Sequence, residues 1–170
     1  MVDRSVLFAR LDALNIDHRT VDHAAVFTVE ESASIKTSLP GGHSKNLFLK
    51  DKKGGLALAV AHADTQVDLV GLGKALGARG RYSFGKPELM VEVLGVTPGS
   101  VTPFALLHET SRRLDHVVFD TALLRYDPVW FHPLENTGST AISPESLLKF
   151  AQACGHTSTL LDLSAPLTAS

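Results

Sequence analysis

Lys45 stands where the glycine-rich run Gly41-Gly42-His43-Ser44 delivers the chain into the alternating segment Asn46-Leu47-Phe48-Leu49-Lys50. A strand entrance of this kind is a rigid mount for a functional ammonium group. The same lysine would also serve as a charge that blunts a sheet edge, and spacing alone leaves both readings open. A second segment, Val96-Thr97-Pro98-Gly99-Ser100-Val101-Thr102-Pro103, is bracketed by prolines, while Gly99 lets the backbone approach a ligand or take a positive φ. Amides at Gly99, Ser100 and Val101 are expected to be free to grip a carbonyl or an oxyanion; a plain connecting turn is the alternative. A third segment, Trp130 to Thr140, crowds His132, Asn136, Thr137, Ser139 and Thr140 behind an apolar run. That density suits the rim of a pocket for a polar ligand, with a solvated turn as the other reading.

Charge adds a fourth feature. Lys74, Arg79, Arg81 and Lys86 cluster around glycines beside Tyr82 and Phe84, and Lys50, Lys52 and Lys53 sit nearby in a turn. Cations interleaved with aromatics can contact phosphates and stack bases. The net charge of −2 supplies no global basic field, so any nucleic-acid contact must be local.

Other chemistries find little support. Eight histidines raise the question of a metal, but neither His62-Ala63-Asp64 nor His108-Glu109 has the spacing of a known site, and neither a metal nor another cofactor is expected. The single cysteine, Cys154, excludes an intramolecular disulfide. It shares a helical stripe with Leu147, Phe150 and Ala151 and reads as a core thiol. No Gly-x-Ser-x-Gly elbow, Walker loop or dinucleotide fingerprint occurs; Gly71-Leu72-Gly73 lies in a helical pattern without a third glycine.

The elements that must position these residues follow from periodicity. Helices are expected over Ser5 to Asn15, from Thr28 (N-cap, with Glu31 completing a capping box) to about Lys36, over Asp68 to Leu76, from Pro87 to Gly95, and from Ser143-Pro144 to Cys154. Short strands are expected over Asp17 to His23, Asn46 to Lys50, Leu56 to Ala61, Phe104 to Leu107, Asp115 to Asp120, Val129 to Pro133 and Thr157 to Leu163, with Asp51 to Gly55 turning a hairpin. The expected fold is α/β: a single domain over residues 1–170 with a mixed, largely antiparallel sheet flanked by helices. The amino terminus lacks a signal-peptide pattern and no apolar run reaches membrane-spanning length, so no membrane partner and a cytoplasmic location are expected.

The run from Ser44 to Lys52, the Gly99-Ser100-Val101-Thr102-Pro103 loop (Gly-x-x-x-Pro) and His132-Pro133-Leu134-Glu135-Asn136-Thr137 occur in one order across the chain. Together they resemble the YbaK / prolyl-tRNA synthetase insertion-domain superfamily, and within it the freestanding prolyl-tRNA editing proteins. The resemblance implies hydrolysis of an aminoacyl ester on the terminal adenosine of a mischarged tRNA for proline, alanine being the amino acid removed, without metal or covalent enzyme intermediate. It implies that Lys45 is the functional lysine, that Gly99 to Pro103, through Gly99, Ser100, Val101 and Pro103, hold the ester carbonyl region, and that Asn46, His132 and Asn136 line the pocket. Prolyl-tRNA synthetase is an implied partner. Lys74, Arg79, Arg81 and Lys86 are candidates for acceptor-stem contacts, and Val29, Ile35 and Met90 for the pocket wall. Editing of cysteinyl- or another misacylated tRNA, or a noncatalytic nucleic-acid- or synthetase-binding module, are the competing expectations.

Overall fold

A computed structural model describes residues 3–24 and 38–165. The helix expected from Thr28 to Lys36, and with it Val29 and Ile35, lies outside the described residues. In chain order the elements are α1 (Arg4–Ala13), β1 (Arg19–Asp22), β2 (Gly42–Lys50), β3 (Leu56–His62), α2 (Leu69–Leu76), β4 (Ser83–Phe84), α3 (Pro87–Leu94), β5 (His116–Asp120), β6 (Val129–Phe131), β7 (Gly138–Ile142), α4 (Pro144–Ala153) and β8 (Ser158–Leu161). The helix ends carry the expected chemistry. Asp3, Asp68 and Ser143 accept first-turn amides, Pro87 and Pro144 open their helices, and Gly77 and Gly95 close theirs in the left-handed region.

The strands form one mixed sheet in the order β1-β7-β6-β2-β3-β5-β8, with β4 added to β2. Four pairings are antiparallel (β1·β7, β2·β3, β2·β4, β6·β7) and three parallel (β2·β6, β3·β5, β5·β8). Alternation along β2 and β3 divides the apolar residues between the two faces. Phe48, Leu56, Leu58 and Val60 join the main core with Leu7 and Leu11 of α1, Val93 and Leu94 of α3, and Leu147 and Phe150 of α4. Leu49, Ala57, Ala59 and Ala61 face the other way, toward Leu72 of α2 and Tyr82. Gly71 and Gly73 are buried on α2. Small residues on helix and strand permit close packing there, which is the use this fold makes of Gly71-Leu72-Gly73.

Three expectations need correction. Phe104 to Leu107 is not a strand but part of a 3-10 turn, Pro103–Leu107, because Pro103 fixes its first φ and Thr102 Oγ1 accepts the Phe104 amide at 3.2 Å. Ser139 and Thr140 are not on a solvated rim; they belong to the fully buried β7, where Thr140 Oγ1 lies 2.7 Å from Thr20 Oγ1 of β1. Tyr82 is only 2% exposed and cannot stack on a ligand.

Asp120, fully buried at the end of β5, ties three parallel strands together. One carboxylate oxygen accepts the His62 amide and the Thr65 hydroxyl at 3.0 Å each. The other accepts the Ala122 and Leu163 amides at 3.1 Å each. A buried donor stripped of its acceptor costs about 1–3 kcal/mol. Asp120→Ala is therefore expected to destabilise the fold by about 3 kcal/mol or more, measured by urea denaturation; an unchanged midpoint would contradict this role.

His108, His132 and His156 all have imidazolium pKa values held below the ordinary 6.5, burial being the largest cause in each. The unfolded chain then binds more protons than the folded one once pH falls below the ordinary value. Stability is expected to be full above about pH 6.5 and to decline as pH drops through the lowered folded values. Thermal melts at fixed ionic strength check this, and the decline should be shallower in His156→Gln.

Candidate active site at an open strand edge

Strand β2 pairs with β3 along Ser44 to Lys50. Its other edge is shared: Gly42 and His43 pair with β6, and Leu49 and Lys50 pair with β4. Between those two partners, residues Ser44 to Phe48 have no strand on that side. The Gly85 amide covers the Phe48 carbonyl at 2.9 Å, so the open stretch is Ser44 to Leu47. It contains Lys45 and Asn46, which point to opposite faces because neighbours on a strand alternate.

Lys45 is half-buried and lies opposite Ala61, whose short side chain leaves room beside the lysine stem. No hydrogen bond or ion pair engages its ammonium among the described residues. Asn46 donates its amide to Ser44 Oγ at 3.2 Å, and Ser44 Oγ donates to the Trp130 carbonyl at 3.1 Å. Asn46 Oδ1 is buried and has no hydrogen-bond partner. Such an orphaned acceptor is costly and calls for a donor that completes it.

The third segment starts beside the opening, where the Trp130 carbonyl accepts from Ser44 Oγ, and leads to the second. His43 is level with Trp130 in the parallel β2·β6 register, and His132 follows directly where β6 ends at Phe131. His132 is held by its Nδ1–H, which donates to the Gly138 carbonyl at 3.0 Å. Burial lowers its pKa most; the Gly138 carbonyl opposes this and nearby His23 reinforces it. The neutral ring therefore leaves Nε2 as an acceptor. Asn136, at the far end of this loop, approaches Gly99: a Cβ built on Gly99 would lie 3.6 Å from Asn136 Nδ2, and Gly99 has φ +93°. The loop from 132 to 136 thus meets the Gly-x-x-x-Pro segment directly.

Within that segment the expected set of free amides is reduced. The Ser100 amide donates to the Thr97 carbonyl at 3.0 Å and is committed to the turn. The Gly99 and Val101 amides have no such partner among the described residues. Val101 packs on the main core and Pro103 is buried, so both support the loop from behind. Met90 is likewise buried in the main core.

Lys74, Arg79, Arg81 and Lys86 are all exposed; Arg79 lies at the β2–β3 hairpin, whereas Lys86 follows Gly85, whose amide closes the opening at Phe48. The Arg79 amide donates to Asp51 Oδ2 at 3.1 Å, and the Arg79 guanidinium lies 4.0 Å from the same carboxylate. Lys50 is five residues from Lys45, a separation of about 16 Å along the strand. The cations at the hairpin, Lys50 and Arg79, therefore lie toward the other end of β2 from Lys45.

One polar pair escaped sequence reasoning. Ser111 Oγ and His156 Nε2 are 3.0 Å apart in a buried setting. Ser111 Oγ donates to the Leu106 carbonyl at 3.0 Å, so His156 must donate to the serine rather than accept its proton. The pair is a structural clasp and lacks the proton direction a nucleophilic serine needs. Cys154 is equally inert: burial pushes its thiol up to about 11. Among the described residues no group of three or more His, Cys, Asp or Glu side chains could hold a metal ion, and no helix is long and apolar enough to cross a membrane.

Comparison with known proteins places this geometry in a family. The family model "Aminoacyl-tRNA editing domain" matches residues 23–150. The chain is 40% identical over 164 residues to prolyl-tRNA synthetase associated domain-containing protein 1 of Bos taurus, covering 94% of each chain. It is 33% identical over 161 residues to the prolyl-tRNA editing protein ProX of Acetoanaerobium sticklandii, covering 94% of this chain and 97% of that one. A solved structure described as a candidate trans-editing enzyme for prolyl tRNA synthetase superposes with a TM-score of 0.73 at 22% identity, covering 97% and 99% of the two chains; at that identity the likeness concerns the fold. With its sheet, its open β2 edge and its matching residues 23–150, the chain belongs to the aminoacyl-tRNA editing domain family.

Proposed function

We propose that this protein is a trans-editing hydrolase that deacylates alanyl-tRNA for proline. The observation that carries the reading is the open edge of β2, which presents an unengaged ammonium at Lys45 toward one face and the orphaned acceptor of Asn46 toward the other. An aminoacyl-tRNA terminus offers both complements: phosphate anions for a cation, and an ammonium and hydroxyls for an acceptor. Membership of the editing family supports the same substrate class.

An aminoacyl ester is already activated, so its hydrolysis needs positioning and charge stabilisation more than a strong nucleophile. In this reading Lys45 neutralises phosphate or developing charge at the terminal adenosine. The Gly99 and Val101 amides face the ester carbonyl, with Gly99 allowing the close approach and Ser100 and Pro103 holding the turn. Asn46 Oδ1 and His132 Nε2 accept from the amino group or the ribose, and Asn136 steadies the Gly99 side. The attacking water is activated by the free ribose hydroxyl of the substrate, in keeping with a site that needs no serine or cysteine nucleophile. Discrimination by size excludes proline, which is larger than alanine, while a smaller amino acid is harder to reject. The Lys74, Arg79, Arg81 and Lys86 cluster is assigned to the acceptor stem, and prolyl-tRNA synthetase is the protein partner proposed for handing over the tRNA.

Deacylation assays on alanyl-, cysteinyl- and prolyl-tRNA for proline test the reading. Alanyl-tRNA is expected to turn over fastest and prolyl-tRNA to be spared, with Lys45→Ala lowering kcat/KM by about 100-fold or more. Faster turnover of the cysteinyl ester would change the substrate. Turnover untouched by Lys45→Ala would overturn the site, and no turnover on any ester would favour a binding module.

A substrate whose terminal ribose lacks the free hydroxyl is expected to be hydrolysed at least 100-fold more slowly; a normal rate would rule out substrate assistance. Because His132 acts neutral and its pKa is lowered, the rate should hold down to about pH 6.5 and fall only at more acidic pH, as the acceptor is lost to protonation.

A further inference from the structure

Phe84 is the most exposed large hydrophobic side chain among the described residues, at 64%. It sits on β4, the two-residue strand that pairs only with β2. Leu49 is its partner in the antiparallel register, so Phe84 lies on the face of Leu49, Leu47 and Lys45. Gly85 confirms the direction: a Cβ there would strike the Phe48 ring at 2.4 Å, so it is Gly85 that faces the main core. Tyr82, two residues before Phe84, turns into the second core on the same face. Phe84 continues that row into solvent, where no packing explains an aromatic ring.

Its surroundings are cationic. Lys86 follows two residues later in extended conformation and so shares the face of Phe84. Lys50 lies opposite Ser83 in the register, and Lys50, Lys52 and Arg81 are exposed around the same strand end. The nearest acid in the hairpin, Asp51, is buried, and burial pushing its carboxyl up is outweighed by the amides of Arg79, Gly55 and Lys53. Glu88, in the first turn of α3, is the only acid on the stretch from Arg81 to Val91. An exposed ring among cations is the arrangement that holds single-stranded nucleic acid, the ring stacking a base and the cations following the backbone.

The spacing then selects which base. From Lys45 to Leu49, and so to Phe84 across from it, is about 13 Å along the strand. From the terminal nucleotide of a tRNA's four-nucleotide unpaired 3′ tail to its root is three steps, about 10 Å when stacked at about 3.4 Å each, so a tail drawn out by about 1 Å per step spans that distance. We propose that Phe84 is a stacking platform for the base at the root of that tail, the discriminator position, when the terminal adenosine lies at Lys45. The assignment of the adenosine to Lys45 rests on the editing function proposed above; the platform itself makes a separate, binding-level claim. It gives the edge strand β4 a role as a ruler, holding the tail at one end while the ester enters the opening at the other.

The test is a binding titration, by fluorescence anisotropy, of an uncharged acceptor-stem hairpin of the tRNA for proline with its 3′ tail and of the same hairpin lacking the tail. Phe84→Ala is expected to weaken binding of the tailed hairpin by about tenfold, Phe84→Tyr to retain it within about twofold, and neither to change binding of the tail-less hairpin. In turnover, Phe84→Ala is expected to raise KM with kcat unchanged. Binding of the tailed hairpin by Phe84→Ala within twofold of wild type would overturn the platform, as would an equal loss on the tail-less hairpin. An absence of deacylation by wild type would sink the editing reading alone, because the tail-dependent titration still decides for or against Phe84.

Discussion

Strand β2 has one edge to give and two neighbours that take it, and neither takes all of it. β6 claims the first two residues and β4 the last two. An interior strand with a bare stretch of backbone is unusual, since unpaired amides and carbonyls are costly to bury and hazardous to expose. Here the bare stretch is four residues, flanked by a turn from one side and a loop from the other. Everything assigned to the site follows from this division, which makes a local opening without breaking the continuity of the sheet through β3.

The opening is held in place from behind. β3 is buried on both faces, with large residues toward the main core and alanines toward α2. Its far end is fastened to β5 and β8 through the carboxylate of Asp120. Lys45 and Asn46 thus ride on a strand whose partner cannot slide by one residue without exchanging its large and small side chains between the faces. A functional site benefits from this rigidity, because a small displacement already spoils the alignment of a reacting group.

Much of this was legible in the sequence, for identifiable reasons. The faces of Leu47, Phe48 and Leu49 followed from alternation, and the ends of α2, α3 and α4 from their caps and prolines. Lys45 stood out by its place at a glycine-rich strand entrance, but its functional reading came from the resemblance of three ordered motifs. Other features depended on tertiary contacts that periodicity does not encode. The buried β7 was hidden because its pattern Gly-Ser-Thr-Ala-Ile looks solvated until β1 and β6 enclose it. The 3-10 turn at Pro103 is indistinguishable from a strand in the sequence because the short apolar run Phe104 to Leu107 suits either state. The commitment of the Ser100 amide, the exposure of Phe84 against the burial of Tyr82, and the orphaned Asn46 oxygen are matters of three-dimensional partnership. No spacing rule could have separated them.

One ion-pair cluster described by no catalytic role links distant parts of the chain. The Arg4 guanidinium, in the first turn of α1, reaches Asp22 at the end of β1 at 2.6 Å and Glu135 at 2.5 Å. Glu135 is the residue immediately before Asn136, which touches Gly99. The first helix is therefore mechanically coupled to the loop that borders the opening, through a single side chain. For protein engineering this makes the amino-terminal end an unsuitable anchor: a tag or fusion that strains α1 would be transmitted to the rim as a change in loop geometry, whereas an attachment at the hairpin tip around Gly54, where nothing lies within 4 Å of an added side-chain carbon, leaves that coupling intact.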